Sequence, residues 1–102
     1  MMNQMNRGLP PTHPGELLRE DILPALGKPK TEIARALGVS RQTLYDLLDE
    51  KQPVSPQMAI RLGKLIGNGA GVWLRLQAAF DLATLEPQMS AEVEKIPTLK
   101  AA

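Results

Sequence analysis

The chain has 102 residues, a formal net charge of +1, 9 prolines, 8 glycines and no cysteine. That length suits one domain with a real core rather than two. The absence of cysteine excludes a disulfide scaffold and a thiolate metal site; no apolar run is long enough to span a bilayer and no charged-then-apolar leader opens the sequence, so a cytoplasmic protein is expected.

Residues 1–9 are polar, methionine-rich and aperiodic, and residues 1–13 are expected to form a flexible segment. Thr12-His13-Pro14-Gly15-Glu16 reads as a helix start. Pro14 suits the first helical position, where a missing amide costs nothing. Glu16, three after His13, sits near the positive helix end. The first helix is expected to run to about Leu23 and to bury Leu17, Leu18 and Ile22, with Pro24 preventing simple continuation.

Residues 30–51 read as a helix-turn-helix. Pro29 opens a helix running from about Thr31 to Leu37. Ala34 supplies the small side chain that steeply crossing helices need. Gly38 stands where the chain must turn through a left-handed conformation. Ser40 can accept from an unpaired amide of the next helix, which begins Arg41-Gln42-Thr43. Ile33, Leu37, Val39, Leu44 and Leu47 are spaced to meet in one core.

With Leu44, Leu47 and Leu48 inward, Arg41, Gln42, Thr43, Tyr45, Asp46 and Asp49 face outward or sideways. In helix-turn-helix docking the start of this second helix enters the major groove. Arg can donate twice to guanine, Gln can pair twice with adenine, and Thr43 can meet a thymine methyl or a phosphate. Tyr45 can touch a phosphate or cover the turn. Asp46 can accept from cytosine, orient Arg41 or penalise wrong sequences. Lys30, Thr31, Ser40 and Lys51 complete the candidate DNA-binding set. Cations and anions nearly balance over residues 28–51: Lys28, Lys30, Arg35, Arg41 and Lys51 against Glu32, Asp46, Asp49 and Glu50. Modest affinity of one copy is therefore expected, with dimerisation on a palindromic site supplying the rest.

Ser55-Pro56 starts the fourth helix as cap and first residue, with Met58, Ala59, Leu62, Leu65 and Ile66 as its apolar stripe. Gly67-Asn68-Gly69 breaks it. The fifth helix is expected over about Ala70 to Thr84, carrying Val72, Trp73, Leu76, Ala79, Phe80, Leu82 and Ala83, and ending at Glu86-Pro87. Trp73 and Phe80 stand two turns apart. They suit a core, or a dimer interface made by Trp73, Leu76, Gln77 and Phe80. Residues 86–102 are expected as a tail that is a frayed helix, a short strand or disordered.

Nothing supports catalysis, a cofactor or a metal. A lone His13 without cysteine or a carboxylate cluster is a helix-entry residue, not a ligand. Gly67-x-Gly69-x-Gly71 has neither the preceding strand nor the following Lys-Ser/Thr of a phosphate cradle.

Three segments carry a family resemblance. They are residues 11–16, the stretch ARALGVSRQTLYDLL at residues 34–48, and Trp73-Leu74-Arg75-Leu76-Gln77-Ala78-Ala79-Phe80-Asp81-Leu82. Residues 14–66 resemble the five-helix Cro/cI repressor (Xre) class, and the three together resemble the HigA antitoxin family, also called VapI-like, over roughly residues 7–85. The chain departs from the family pattern at Lys28-Pro29-Lys30, which replaces a Ser/Thr cap, and at Gly69-Ala70-Gly71 before Trp73. The resemblance implies an all-α, five-helix lambda-repressor-like domain at residues 14–85, including a dimerisation helix, with short N- and C-terminal extensions. It implies a homodimer on double-stranded operator DNA that represses its own operon and neutralises a small RelE-like, mRNA-cleaving HigB toxin. It assigns DNA reading to Ser40, Arg41, Gln42, Thr43 and Asp46, and phosphate contacts to Lys30 and Lys51. Two other functions stay open: a transcription regulator without a toxin, and a toxin-binding module with residual DNA binding.

Overall fold

The computed structural model describes residues 10–101, and the expected flexibility of residues 1–9 lies outside them. Among the described residues all regular structure is helical. Helix α1 (residues 14–26) starts at Pro14 with His13 as its cap: His13 Nδ1 accepts from the Gly15 amide at 2.8 Å. His13 is itself buried, and its ring meets the Phe80 ring edge-on at a centroid distance of 5.0 Å. The first helix does not stop at Leu23. It passes through Pro24 by widening: Pro14–Leu17 and Leu23–Leu26 are α-helical, while Leu18–Ile22 form a π turn in which the Leu23 amide donates to the Leu18 carbonyl. Proline has no N–H and its ring crowds the carbonyl four residues back, so a wider preceding turn gives the Glu20 carbonyl room.

Helix α2 (Lys30–Leu37) follows Pro29, which offers no side-chain cap. Gly38 then takes φ +76°, the left-handed turn that any side chain would strain. Helix α3 (Arg41–Leu48) is capped by Ser40, whose Oγ accepts from the Thr43 amide at 3.0 Å. Helix α4 (Pro56–Ile66) is capped by Ser55, which accepts from the Met58 amide at 3.1 Å. Helix α5 (Ala70–Gln88) runs past the expected end at Thr84 and takes Pro87 into its last turn, where few hydrogen bonds remain to be lost. A short helix α6 (Ser90–Glu94) follows, wholly exposed.

The core joins Leu18 and Leu23 of α1, Ile33, Ala34 and Leu37 of α2, Leu44, Leu47 and Leu48 of α3, Val54 of the loop after α3, Met58, Ala59 and Leu62 of α4, and Trp73 of α5. Leu17, Ile22, Val39, Leu65, Ile66 and Leu76 pack around it, half-buried. Each fully buried aliphatic side chain contributes about 1.5–3 kcal/mol. Leu82 and Ala83, expected on the apolar stripe of the fifth helix, are exposed instead. The second half of α5 leaves the core, and the molecule measures 52 × 28 × 25 Å. At the other end of the core α1 rests on the backbone of α3. A Cβ at Gly15 would run into the Leu47 carbonyl oxygen.

Candidate nucleic-acid interface

The sequence dictates which face of α3 is turned in. Leu44, Leu47 and Leu48 are almost completely buried, so Arg41, Gln42, Tyr45 and Asp49 are exposed and Thr43 and Asp46 half-exposed. Ser40 sits just ahead of this face. Its hydroxyl accepts from the Thr43 amide and donates to Thr43 Oγ1 at 2.8 Å, which leaves the Thr43 hydroxyl hydrogen available to an acceptor outside. Gln42 Nε2 donates to Asp46 Oδ1 at 2.7 Å. Asp46 thus holds Gln42, not Arg41. The Arg41 side chain makes no hydrogen bond or ion pair among the described residues. Arg41 and Arg35 flank an open groove of about 390 Å³, also lined by Thr31, Ala34 and Val39, at the angle between α2 and α3.

Cations surround this face. Lys30 at the start of α2 lies over the Tyr45 ring, 6.0 Å from its centroid, so these two candidates share one patch. Thr31 is exposed beside them, and Lys51 is exposed past the end of α3. Lys30 thus lies beside Tyr45, and Thr31 beside Arg41 along the groove.

Two arginines that sequence reasoning passed over hold the helix-turn-helix in place. Arg19, on the π turn of α1, donates to the carbonyl of Leu48 at the end of α3 and pairs with Glu20 at 2.8 Å and Glu50 at 3.4 Å. The hydrogen bond to Glu20 chiefly raises the Arg19 pKa above its ordinary value; desolvation opposes the rise and Glu50 adds to it. Arg61 of α4 donates to the carbonyl of Leu37 at the end of α2, at 2.8 Å. Each arginine places a cation on unpaired carbonyls at a helix C-terminus. No local pattern announces them, because both acceptors are backbone atoms on distant segments.

The proposed interface residues divide. Trp73 has none of its surface exposed, and its indole N–H donates to Asn68 Oδ1 at 3.0 Å. Gln77 is also buried. Its Oε1 accepts from the Val54 amide at 2.8 Å and its Nε2 donates to Asp81 at 2.9 Å. Within the protomer these two fasten α5 to the core and to the loops after α3 and α4, which leaves them little surface for a second copy. Leu76 and Phe80 remain partly exposed.

Comparison with known proteins fits this arrangement. No family model matches the chain. Virulence-associated protein I of Dichelobacter nodosus is 36% identical over 78 residues, 76% of this chain and 72% of that protein. Antitoxin HigA-1 of Vibrio cholerae is 35% identical over 72 residues, 71% of this chain and 68% of that protein. The chain belongs to the HigA (VapI-like) family. The Pseudomonas aeruginosa antitoxin HigA, solved with the higBA promoter, superposes with a TM-score of 0.80 at 36% identity, covering 88% of this chain and 99% of that one. Further relatives are named HTH-type transcriptional regulators, and those named antitoxins are not enzymes. The all-helical fold of the HigA family is the fold of this chain.

Proposed function

We propose that this protein is the antitoxin of a type II toxin–antitoxin pair, acting in the cytoplasm as a DNA-binding repressor of its own operon. Its protein partner is a small RelE-like, mRNA-cleaving toxin of the HigB type. The observation that carries the DNA-binding part is the outer face of α3, where an uncommitted Arg41 stands beside Gln42 over a fully buried inner face. Arg41 donates to a guanine edge, and Gln42 pairs with adenine. Ser40 and Thr43 meet the backbone at the groove edge, and Lys30, Thr31, Tyr45 and Lys51 hold phosphates on either side.

A homodimer places two α3 helices on half-sites about 34 Å apart. The second copy covers the outer stripe of α5, where Leu82 and Leu85 are exposed and the same face continues to Met89 and Val93. These positions recur at helical spacing, and their apolar side chains are 40% to 56% exposed. Residues 14–85 then act as the DNA-binding unit, and residues 86–102 as its extension.

The test is an anisotropy titration on DNA from upstream of the protein's own gene against scrambled DNA, with Arg41→Ala in parallel, followed by co-purification with the product of the adjacent gene. Salt-dependent binding confined to the native fragment and lost in the variant supports the repressor. Capture and inhibition of a neighbouring RNase support the antitoxin. Sequence-indifferent binding would remove the repressor reading, and absence of a neighbouring toxin would leave a regulator alone.

A further inference from the structure

We infer that Asp46 is a positioning residue that fixes the amide of Gln42 and thereby selects adenine over guanine at one position of each half-site. This rests on the DNA-reading role proposed above. Gln42 and Asp46 lie one turn apart on α3, joined by the 2.7 Å hydrogen bond from Gln42 Nε2 to Asp46 Oδ1. An ionised carboxylate accepts and cannot donate. It therefore faces the amide nitrogen of Gln42 and repels the amide oxygen. Of the two amide orientations related by a half-turn about the last side-chain bond, one is removed.

The remaining orientation has a defined outward chemistry. One N–H is spent on Asp46. The second N–H and Oε1 remain, and Oε1 accepts no hydrogen bond among the described residues. A donor beside an acceptor complements adenine, whose major-groove edge shows the N7 acceptor and the N6 donor. Guanine shows two acceptors, N7 and O6, and a fixed Oε1 would meet one of them lone pair to lone pair. A Gln42 free to turn could offer its amino group to either purine. Asp46 thus acts on discrimination, through Gln42, without touching the base. Arg41 is outside this arrangement, since no bond joins it to Asp46.

The experiment is selection of duplexes from a random-sequence library by the full chain and by Asp46→Asn, Gln42→Ala and the double variant. Asparagine keeps the size of Asp46 but can face either end of the Gln42 amide. The unaltered chain should prefer adenine to guanine at one position per half-site by roughly 5- to 150-fold, the ratio one bidentate contact supports. In Asp46→Asn that ratio should fall several-fold, because the base alone must then orient the amide, while the other positions of the motif persist. Loss of the negative charge should raise affinity for all duplexes alike, which separates electrostatics from reading. Gln42→Ala should flatten the same position, and adding Asp46→Asn should leave the preference there unchanged while still raising affinity for all duplexes.

An adenine preference undiminished in Asp46→Asn overturns this inference alone. So does a motif that collapses at every position, with circular dichroism reporting a disturbed helix. A full chain that enriches no motif overturns the DNA-binding proposal and this inference together.

Discussion

Replacing Gln77 by leucine separates a core role from an interface role. The Gln77 carbonyl is the acceptor for the Val54 amide, in a region where Val54 is 3% and Gln77 6% exposed. Leucine fits the helix and the volume but leaves that N–H buried without a partner, which costs about 1–3 kcal/mol. Loss of the one-turn hydrogen bond to Asp81 adds about 0.2–0.5 kcal/mol. Helix propensity barely changes, because Gln and Leu rank closely. The net loss is about 1–3 kcal/mol, and for a chain of this size each kcal/mol moves the melting midpoint by about 4–8 °C. A fall of roughly 5–20 °C is expected. The assay pairs thermal and urea unfolding with sedimentation of the folded protein, and the self-association constant should stay unchanged. A midpoint equal to that of the unaltered chain, with weaker self-association, would return Gln77 to a partner surface and refute the core assignment.

Gly15→Ala should destabilise by about 1–3 kcal/mol in urea titrations, because the added methyl meets the immovable Leu47 carbonyl; an unchanged midpoint would mean that α1 and α3 stand further apart. Arg61→Met should cost about 1 kcal/mol by uncapping the Leu37 carbonyl, measured by the same titration, while leaving the base preference intact. Leu85→Asp should turn the proposed dimer into a monomer by light scattering; a dimer that persists places the interface elsewhere. Lys51→Ala should weaken binding to native and scrambled DNA alike and lower the salt slope by about one unit; a loss confined to the native site would make Lys51 a base reader.

The helix-turn-helix was legible because its chemistry is local. Ala34 at the crossing, Gly38 at the turn and Ser40 at the cap each act within a few residues of their own position, and each does in the fold what its residue type suggests. The prolines were harder. Proline as a terminator is a statement about a regular α-helix, and α1 escapes it by changing its hydrogen-bond register ahead of Pro24. The fifth helix misled for another reason. It is apolar on more than one side, so periodicity cannot say which side turns inward. Tertiary contacts from Val54 and Asn68 decide that, and they place Gln77 and Trp73 inside and leave Leu82 outside. Arg19 and Arg61 were invisible because they serve carbonyl oxygens, which every residue possesses.

On the face of α3, the side-chain bonds of Gln42 and Thr43 stay within the helix and its cap, and Arg41 has none among the described residues. The forces that fix the helix come from its opposite side and its far end, through buried leucines and Arg19. Apart from Ser40, which also caps the helix, the proposed readout and the scaffold thus draw on separate sets of atoms. Outward residues such as Arg41, and Gln42 with Asp46 as a pair, can be exchanged without a matching change in the core. Descendants of such a domain can acquire a new operator by altering a few surface positions, so paired operons within one genome can diverge in address while retaining the same architecture.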